Sequence, residues 1–268
     1  MQYKKFLVDV LKEASAIASN YFGKVSGTIK PDDPNQVLTK ADIEVGKYLI
    51  SQIEKEFPSH NIIDEEAGVI DKKSAFTWVT DPIDGTSNFA AGTPLYGVMI
   101  GLLEDDKVIA GGVALPAFSE IYVAEKSGGA YCNGKKIAVT KETSLKSVLV
   151  VYGIDSNQNN PDDTRQEAKL FGEIALACRN MRISNSCFDT MMLARGSYGG
   201  WLNKSSKIWD NVAQQIIIEE AGGVYTDLYG KPIDYTLPLS KAKLNFTQCI
   251  ASPILHEQLQ KIILALRV

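Results

Sequence analysis

Histidine is almost missing from this chain. There are two in 268 residues, His60 and His256, and neither stands beside an acidic motif. Histidine-centred acid–base or zinc chemistry is therefore not expected, and both are read as surface or terminal-helix residues. Cysteine is also sparse: Cys132, Cys178, Cys187 and Cys249 lie far apart. That spacing fits neither a zinc site nor a dense disulfide framework, and free thiols, buried or half-buried, are expected in a reducing compartment. No apolar run is long enough to span a bilayer. The start Met1-Gln2-Tyr3-Lys4-Lys5 loses apolar character at Asp9, Lys12 and Glu13, so it does not read as a signal peptide, and the cytoplasm is the expected location. There is no basic stripe to offset a net charge of -4, which argues against a nucleic-acid partner. A G-x-x-x-x-G-K-[ST] phosphate loop and a G-x-S-x-G elbow are both absent, and Gly196 to Gly200 lacks the setting of a dinucleotide fingerprint.

What is present is ordinary globular composition, with enough length to bury one large core or two smaller layers. Phe6, Val10, Ala14, Ile17, Ala18 and Tyr21 recur at helical spacing, and a Gly-, Pro- and Asp-rich connector from Gly27 to Asn35 follows. A second helix is expected from Asp42 to Phe57. The period then changes: Phe76 to Thr80, Tyr96 to Leu103, Val108 to Ala114 and Glu120 to Glu125 read as an antiparallel meander, with Asn133-Gly134 as a further turn. Ser147 to Gly153 is strand-like, residues 155–163 a polar loop, Thr164 to Cys178 helical, Arg182 to Ser186 strand-like and Cys187 to Arg195 helical. Asp210 to Glu220 and Pro253 to Ala265 complete the helices. Helices flanking many strands predict stacked layers, with a seam near residues 140–150 that separates an N-terminal α+β part, 1–145, from a C-terminal α/β part, 146–268.

The chemistry concentrates in Asp81-Pro82-Ile83-Asp84-Gly85-Thr86-Ser87-Asn88-Phe89, behind the apolar run Phe76 to Val79. Two carboxylates at a strand end, in a loop with free backbone groups, suit a hard divalent cation. In a regular strand Asp81 and Asp84 would face opposite sides, but Pro82 interrupts the ladder and lets both turn inward. Gly85 permits close backbone approach, and its N–H with that of Thr86 can meet phosphate oxygens. Glu65-Glu66 follows Ile62-Ile63, so Glu65 can come off a strand end to share metal with Asp81. Asp210, beside Trp209, opens an apolar helix and can cap it while using its other oxygen on metal. Oxygen ligands without His or Cys favour magnesium or manganese, and hydrolysis by metal-activated water is the leading chemistry.

These residues resemble the inositol monophosphatase family of magnesium-dependent, often lithium-sensitive phosphatases. The signature D-P-[IL]-D-G-T-x-N-F is matched at 81–89. A second signature, W-D-x-x-A-x-x-x-x-x-x-E-A-G-G, is matched from Trp209 through Gly223, and the Glu-Glu motif appears as Ile63-Asp64-Glu65-Glu66, with Asp64 where glycine is common. The resemblance implies a layered αβαβα sandwich. It also implies two or three magnesium ions held by Glu65, Asp81, the Ile83 carbonyl, Asp84 and Asp210, with Glu65, Thr86 and Asp42 serving the attacking water. Lys30 corresponds to a lysine near the site. Gly85, Thr86, Ser186, Cys187, Asn203 and Asp210 fall at positions that meet substrate, a small phosphorylated polyol, nominally inositol-1-phosphate. Asn203 stands where inositol-specific members place a glutamate, which weakens the inositol case and brings forward fructose-1,6-bisphosphate, then a 3′,5′-bisphosphate nucleotide. A homodimer is the family's common assembly.

Overall fold

The computed structural model describes residues 3–30 and 33–266. The chain opens with helix α1 (Lys4–Tyr21), the antiparallel pair β1 (Thr28–Lys30) and β2 (Asp33–Leu38), and helix α2 (Lys40–Glu56). Strands β3 (Asn61–Asp64), β4 (Gly68–Ile70) and β5 (Phe76–Asp84) follow, then the short α3 (Thr86–Ala90). Next come β6 (Gly97–Glu104), β7 (Lys107–Leu115), β8 (Glu120–Glu125), β9 (Gly129–Cys132) and β10 (Lys135–Lys136). Beyond residue 148 lie β11 (Leu149–Gly153), α4 (Pro161–Ala177), β12 (Asn180–Arg182), α5 (Cys187–Ala194) and β13 (Gly200–Ser206). The chain closes with α6 (Ile208–Glu220), β14 (Val224–Thr226), β15 (Phe246–Ala251) and α7 (Pro253–Leu266).

Two larger sheets organise these elements. One has eight strands in the order β10-β9-β8-β7-β6-β5-β3-β4, the other five in the order β12-β11-β13-β15-β14. The central strands of both are buried on both faces, and their period-2 alternation shows why. In the larger sheet Trp78, Val98 and Ile100 pack with Leu7, Leu11 and Leu49 of α1 and α2, while Val79 and Met99 face the other way. That second face meets α5 and α6 through Met191, Val212 and Ile216, together with Val151, Trp201 and Ile250 from the smaller sheet. The far face of the smaller sheet carries Val150, Leu202 and Cys249 against Leu170, Ile174 and Leu259 of α4 and α7. The order is helix, sheet, helix, sheet, helix, the layered α+β arrangement expected.

Helix α6 lies close on the large sheet because two facing positions lack side chains. A Cβ on Gly101 would stand 2.6 Å from Val212 Cγ1 and 2.8 Å from the Ala213 nitrogen, and one on Gly111 2.9 Å from the Ala213 Cα. This seating matters because α6 carries Asp210.

Several local expectations are corrected. The connector from Gly27 to Asn35 contains β1 and the start of β2, and its residues Pro31 and Asp32 lie outside the described residues. The meander from β5 to β10 is antiparallel, but β3 runs parallel to β5, and β11 runs parallel to both β12 and β13. Residues 155–163 are not all loop, because α4 starts at Pro161, whose missing N–H suits a first helical turn. The strand expected at 182–186 is shifted to 180–182. His60 is partly covered, stacked on Phe57 and Phe76, and accepts the Trp78 indole N–H at 3.1 Å. His256 is buried, with Nε2 2.8 Å from Thr226 Oγ1. All four cysteines are free, three buried and Cys132 half-buried. No helix among the described residues is long and apolar enough to cross a membrane.

Candidate active site

The acidic loop forms because β5 gains one residue on its neighbour. Asp81 pairs with Met99 and Asp84 with Gly97, so three steps on β5 oppose two on β6. This bulge falls at Pro82, which has no N–H to give the ladder. It changes the facing of everything after it: Val79 points to the middle layer, yet Ile83 packs with the outer helices, and Asp84 returns to the side of Asp81. The strand is thus not ended by Pro82, as its chemistry alone suggests, but continues through it out of step. Gly85 then takes φ 78°, and a Cβ there would meet the Leu95 carbonyl at 2.9 Å and Ser186 Cβ at 3.0 Å. The chain enters α3 at Thr86, a turn of helix that the sequence pattern did not reveal.

Asp210 arrives from the helical layer packed on this sheet. It occupies the third position of α6, where its Oδ2 accepts the Lys207 N–H at 2.5 Å and caps the helix. One carboxylate oxygen from each of Asp81, Asp84 and Asp210 lies within 4.8 Å of the others. At that separation two charges repel by about 3.5 kcal/mol at an effective dielectric constant of ~20. Burial, reinforced by Glu65, Asp84 and Asp210, holds Asp81 well above the usual carboxylate range. Burial lifts Asp84 to about 6 against the opposing Cys187 N–H, and burial followed by Asp84 lifts Asp210 to about 7. Asp81 Oδ1 is buried with no hydrogen-bond partner among the described residues. An orphaned carboxylate oxygen among mutually repelling, all-oxygen donors fits a hard divalent cation, which supplies both the missing partner and the opposite charge.

Glu65 leaves the end of β3, and its N–H donates to the Thr80 carbonyl of β5 at 3.2 Å. The turn is held by Asp64, the residue that departs from the family pattern. Its Oδ1 accepts from the N–H groups of Glu66 (3.0 Å) and Ala67 (2.8 Å), and its Oδ2 from the Thr80 hydroxyl (2.7 Å). Lys30 reaches over this turn, with Nζ 2.8 Å from Glu65 Oε1 and 2.6 Å from Glu66 Oε1. Burial alone would lower the Lys30 ammonium, but the two glutamates outweigh it and raise it. Burial pushes Glu65 up to about 7 against that lysine.

Asp42 and Thr86, 44 residues apart, meet directly. Thr86 Oγ1 lies 3.1 Å from Asp42 Oδ1 and 2.7 Å from the Ile83 carbonyl, and can donate to either. Asp42 is fully buried at the start of α2, where Oδ2 also accepts from the Thr39 N–H (2.8 Å) and hydroxyl (2.5 Å). Burial raises its pKa against these bonds.

Glu65, Asp81, Ile83, Asp84, Thr86 and Asp210 line a cleft of about 850 Å³, together with Gly85 and the largely buried Ser186 and Asn203. Cys187, expected at the substrate, stands behind it: its thiol is buried and its N–H donates to Asp84 Oδ2. The Asn203 amide is engaged, donating to Asn185 Oδ1 at 3.1 Å and accepting from the Ser205 N–H at 2.5 Å. Sequence reasoning missed Asp64 as the holder of Glu65, and the signal was its place one residue before the Glu-Glu pair. It also missed Asp155 and Glu167, which line the far end of the cleft and carry no motif.

The inositol monophosphatase family model matches residues 2–267. A fructose-1,6-bisphosphatase/inositol-1-monophosphatase of Aquifex aeolicus is 34% identical over 235 residues, covering 85% of this chain and 88% of that protein. A histidinol-phosphatase of Chlorobaculum parvum is 30% identical over 230 residues, covering 84% and 85%. Among solved structures, an IMPase from Thermotoga maritima superposes with a TM-score of 0.86 at 26% identity, covering 100% of this chain and 98% of that one. With its layered fold and its paired acidic signatures in place, the chain belongs to the inositol monophosphatase family of magnesium-dependent phosphatases.

Proposed function

We propose that this chain hydrolyses the phosphomonoester of a small polyol, nominally inositol-1-phosphate, with two or three magnesium ions that manganese can replace. The observation that carries this reading is the convergence of Asp81, Asp84 and Asp210 within 4.8 Å, with a buried Asp81 oxygen left unpartnered among the described residues. Magnesium, when bound, supplies Lewis-acid polarisation of the phosphoryl group and a more acidic water. Glu65, Asp81 and the Ile83 carbonyl would hold cation on one side of the cluster, and Asp84 with Asp210 on the other. With the Ile83 carbonyl turned to cation, the Thr86 hydroxyl would make its hydrogen bond to Asp42, which leaves its oxygen lone pairs free to orient the attacking water and accept a hydrogen bond from it. The N–H groups of Gly85 and Thr86 are available to phosphate oxygens, and the Ser186 hydroxyl, buried with no partner among the described residues, is a donor at the cleft wall. In this reading residues 1–145 bring most metal ligands and residues 146–268 close the site with Asp210 and Ser186. The four free thiols suit a cytoplasmic enzyme, and a homodimer is the assembly proposed.

Fructose-1,6-bisphosphate is the second reading, favoured by Asn203 in place of a carboxylate and by the name of the Aquifex relative. A 3′,5′-bisphosphate nucleotide ranks lower, because Trp201 at the cleft wall is 4% exposed and its indole N–H is held by Gln248, which leaves little of its ring for stacking. The differing names of the two curated relatives support a shared phosphate chemistry with substrate choice set elsewhere in the cleft. The test is phosphate release from inositol-1-phosphate, fructose-1,6-bisphosphate and 3′-phosphoadenosine-5′-phosphate at equal magnesium, with a chelator control. Magnesium-dependent release, fastest on the inositol ester, is expected. No magnesium-dependent release from any of them would end the proposal.

A further inference from the structure

The end of the cleft away from the clustered aspartates is built from α4 and from the loop that joins it to β11. Helix α4 buries Leu170 and Ile174 on the face it turns to the smaller sheet, and Glu167 continues that face one turn earlier, where helical period calls for an apolar residue. Glu167 is 7% exposed, lines the cleft, and makes no hydrogen bond to any described residue. The fully buried Tyr152 hydroxyl on β11 also has no hydrogen-bond partner among the described residues, and Glu167 reinforces the effect of burial in raising the Tyr152 phenol. A carboxylate mostly withdrawn from solvent, open only to a ligand cavity and without a hydrogen-bond partner among the described residues, suits a partner that arrives through that cavity.

We infer that Glu167, with Asp155 and Asp163, forms a subsite for a cationic group, a protonated amine, carried by the alcohol half of the phosphate ester. This rests on the phosphomonoesterase reading and names the class of its leaving group. The charged groups facing Glu167 are Asp155, Asp163 and one lysine, Lys204. Asp155 is held in place, with Oδ1 accepting from Asn185 Nδ2 at 3.0 Å and Oδ2 from Ser205 Oγ at 2.7 Å, and it keeps lone pairs for a further donor. Asp163 accepts from Asn157 Nδ2 at 3.1 Å. Burial lifts Glu167 to about 7, Lys204 opposes this, and the two aspartates add to it. Three carboxylates against one lysine repel a second phosphate. A neutral hydroxyl gives a hydrogen bond but no charge, whereas an ammonium gives both. The same ring of bonds engages Asn203, so the carboxylate missing at that position is supplied from the loop after β11 and from α4 instead.

The test uses linear phosphate monoesters of matched chain length that end in an ammonium, a hydroxyl or a second phosphate, assayed with magnesium. The ammonium ester is expected to have the highest kcat/KM at the best chain length and the bisphosphate the lowest. In Glu167→Gln the ammonium-to-hydroxyl ratio of kcat/KM should fall roughly tenfold to a hundredfold, the size of a lost charge-assisted bond, mainly through KM. The ratio cancels any general loss of folded enzyme. If that variant does not fold, the wild-type ratio and its decline with added salt decide alone. Equal wild-type turnover of the ammonium and hydroxyl esters, a preference for the bisphosphate, or an unchanged ratio in Glu167→Gln would overturn the inference while leaving the phosphatase reading intact. Failure to hydrolyse any of the esters would overturn both.

Discussion

Replacing Asp210 with asparagine should change the sign of its effect with metal. In the fold, burial and then Asp84 raise the Asp210 carboxyl from its ordinary 3.8 to about 7. A raised acid binds its proton more tightly folded than unfolded. Its ionised form therefore destabilises the fold as pH climbs from about 4 through 7. The rise corresponds to about 4 kcal/mol at 1.36 kcal/mol per pH unit. The asparagine carboxamide keeps an oxygen to accept the Lys207 N–H, so the helix cap survives while the charge is lost. In chelator at pH 8, Asp210→Asn should melt higher than wild type, by roughly 10 °C at ~2–4 °C per kcal/mol. At pH 4 the two should nearly coincide. With saturating magnesium the order should invert, because the cation stabilises wild type more than the variant, and turnover should largely disappear. Scanning calorimetry across pH, with and without magnesium, provides the check. A variant that melts at or below wild type in chelator at pH 8 would refute the electrostatic reasoning.

Thr86→Val removes the hydroxyl that bonds Asp42, and kcat should fall roughly 10²–10⁴-fold; turnover within a few-fold of wild type would remove Thr86 from the chemistry. Asp64→Ala deletes two hydrogen bonds to the Glu65 turn and one to the Thr80 hydroxyl, and should cost about 3 kcal/mol in denaturant unfolding and raise the magnesium needed for half-maximal turnover. A change in stability without a change in magnesium requirement would show that the turn does not position Glu65. Gly101→Ala forces a methyl against Val212 and the Ala213 backbone, so unfolding free energy should drop by about 1–3 kcal/mol; a neutral outcome would mean that α6 is not seated as described.

Much of this molecule could be read from residue order, and the gaps have physical causes. The long helices and the β6–β8 meander were legible because their faces alternate cleanly between core layers. Parallel pairing of β3 with β5 was not, since a strand buried on both faces carries no mark of its neighbour's direction. The short α3 was hidden because one turn of helix has no period to detect. Asp81 and Asp84 were identifiable as a pair, but Pro82 speaks only of a missing donor. Whether the strand ends there or bulges depends on β6. Asp42 was found through resemblance, and its burial under the α2 cap explains why its position near a helix start alone was ambiguous. Glu167 left no motif because its meaning comes from Tyr152, Asp155 and Lys204, which only the fold assembles.

Cation binding by carboxylates from two separate layers is the central claim. The direct measurement is an anomalous difference map from a crystal grown with manganese. Strong peaks in contact with Asp81, Asp84 and Asp210 are predicted, with Glu65 on the adjoining side. A well-ordered structure at saturating manganese with no peak among those carboxylates would contradict it.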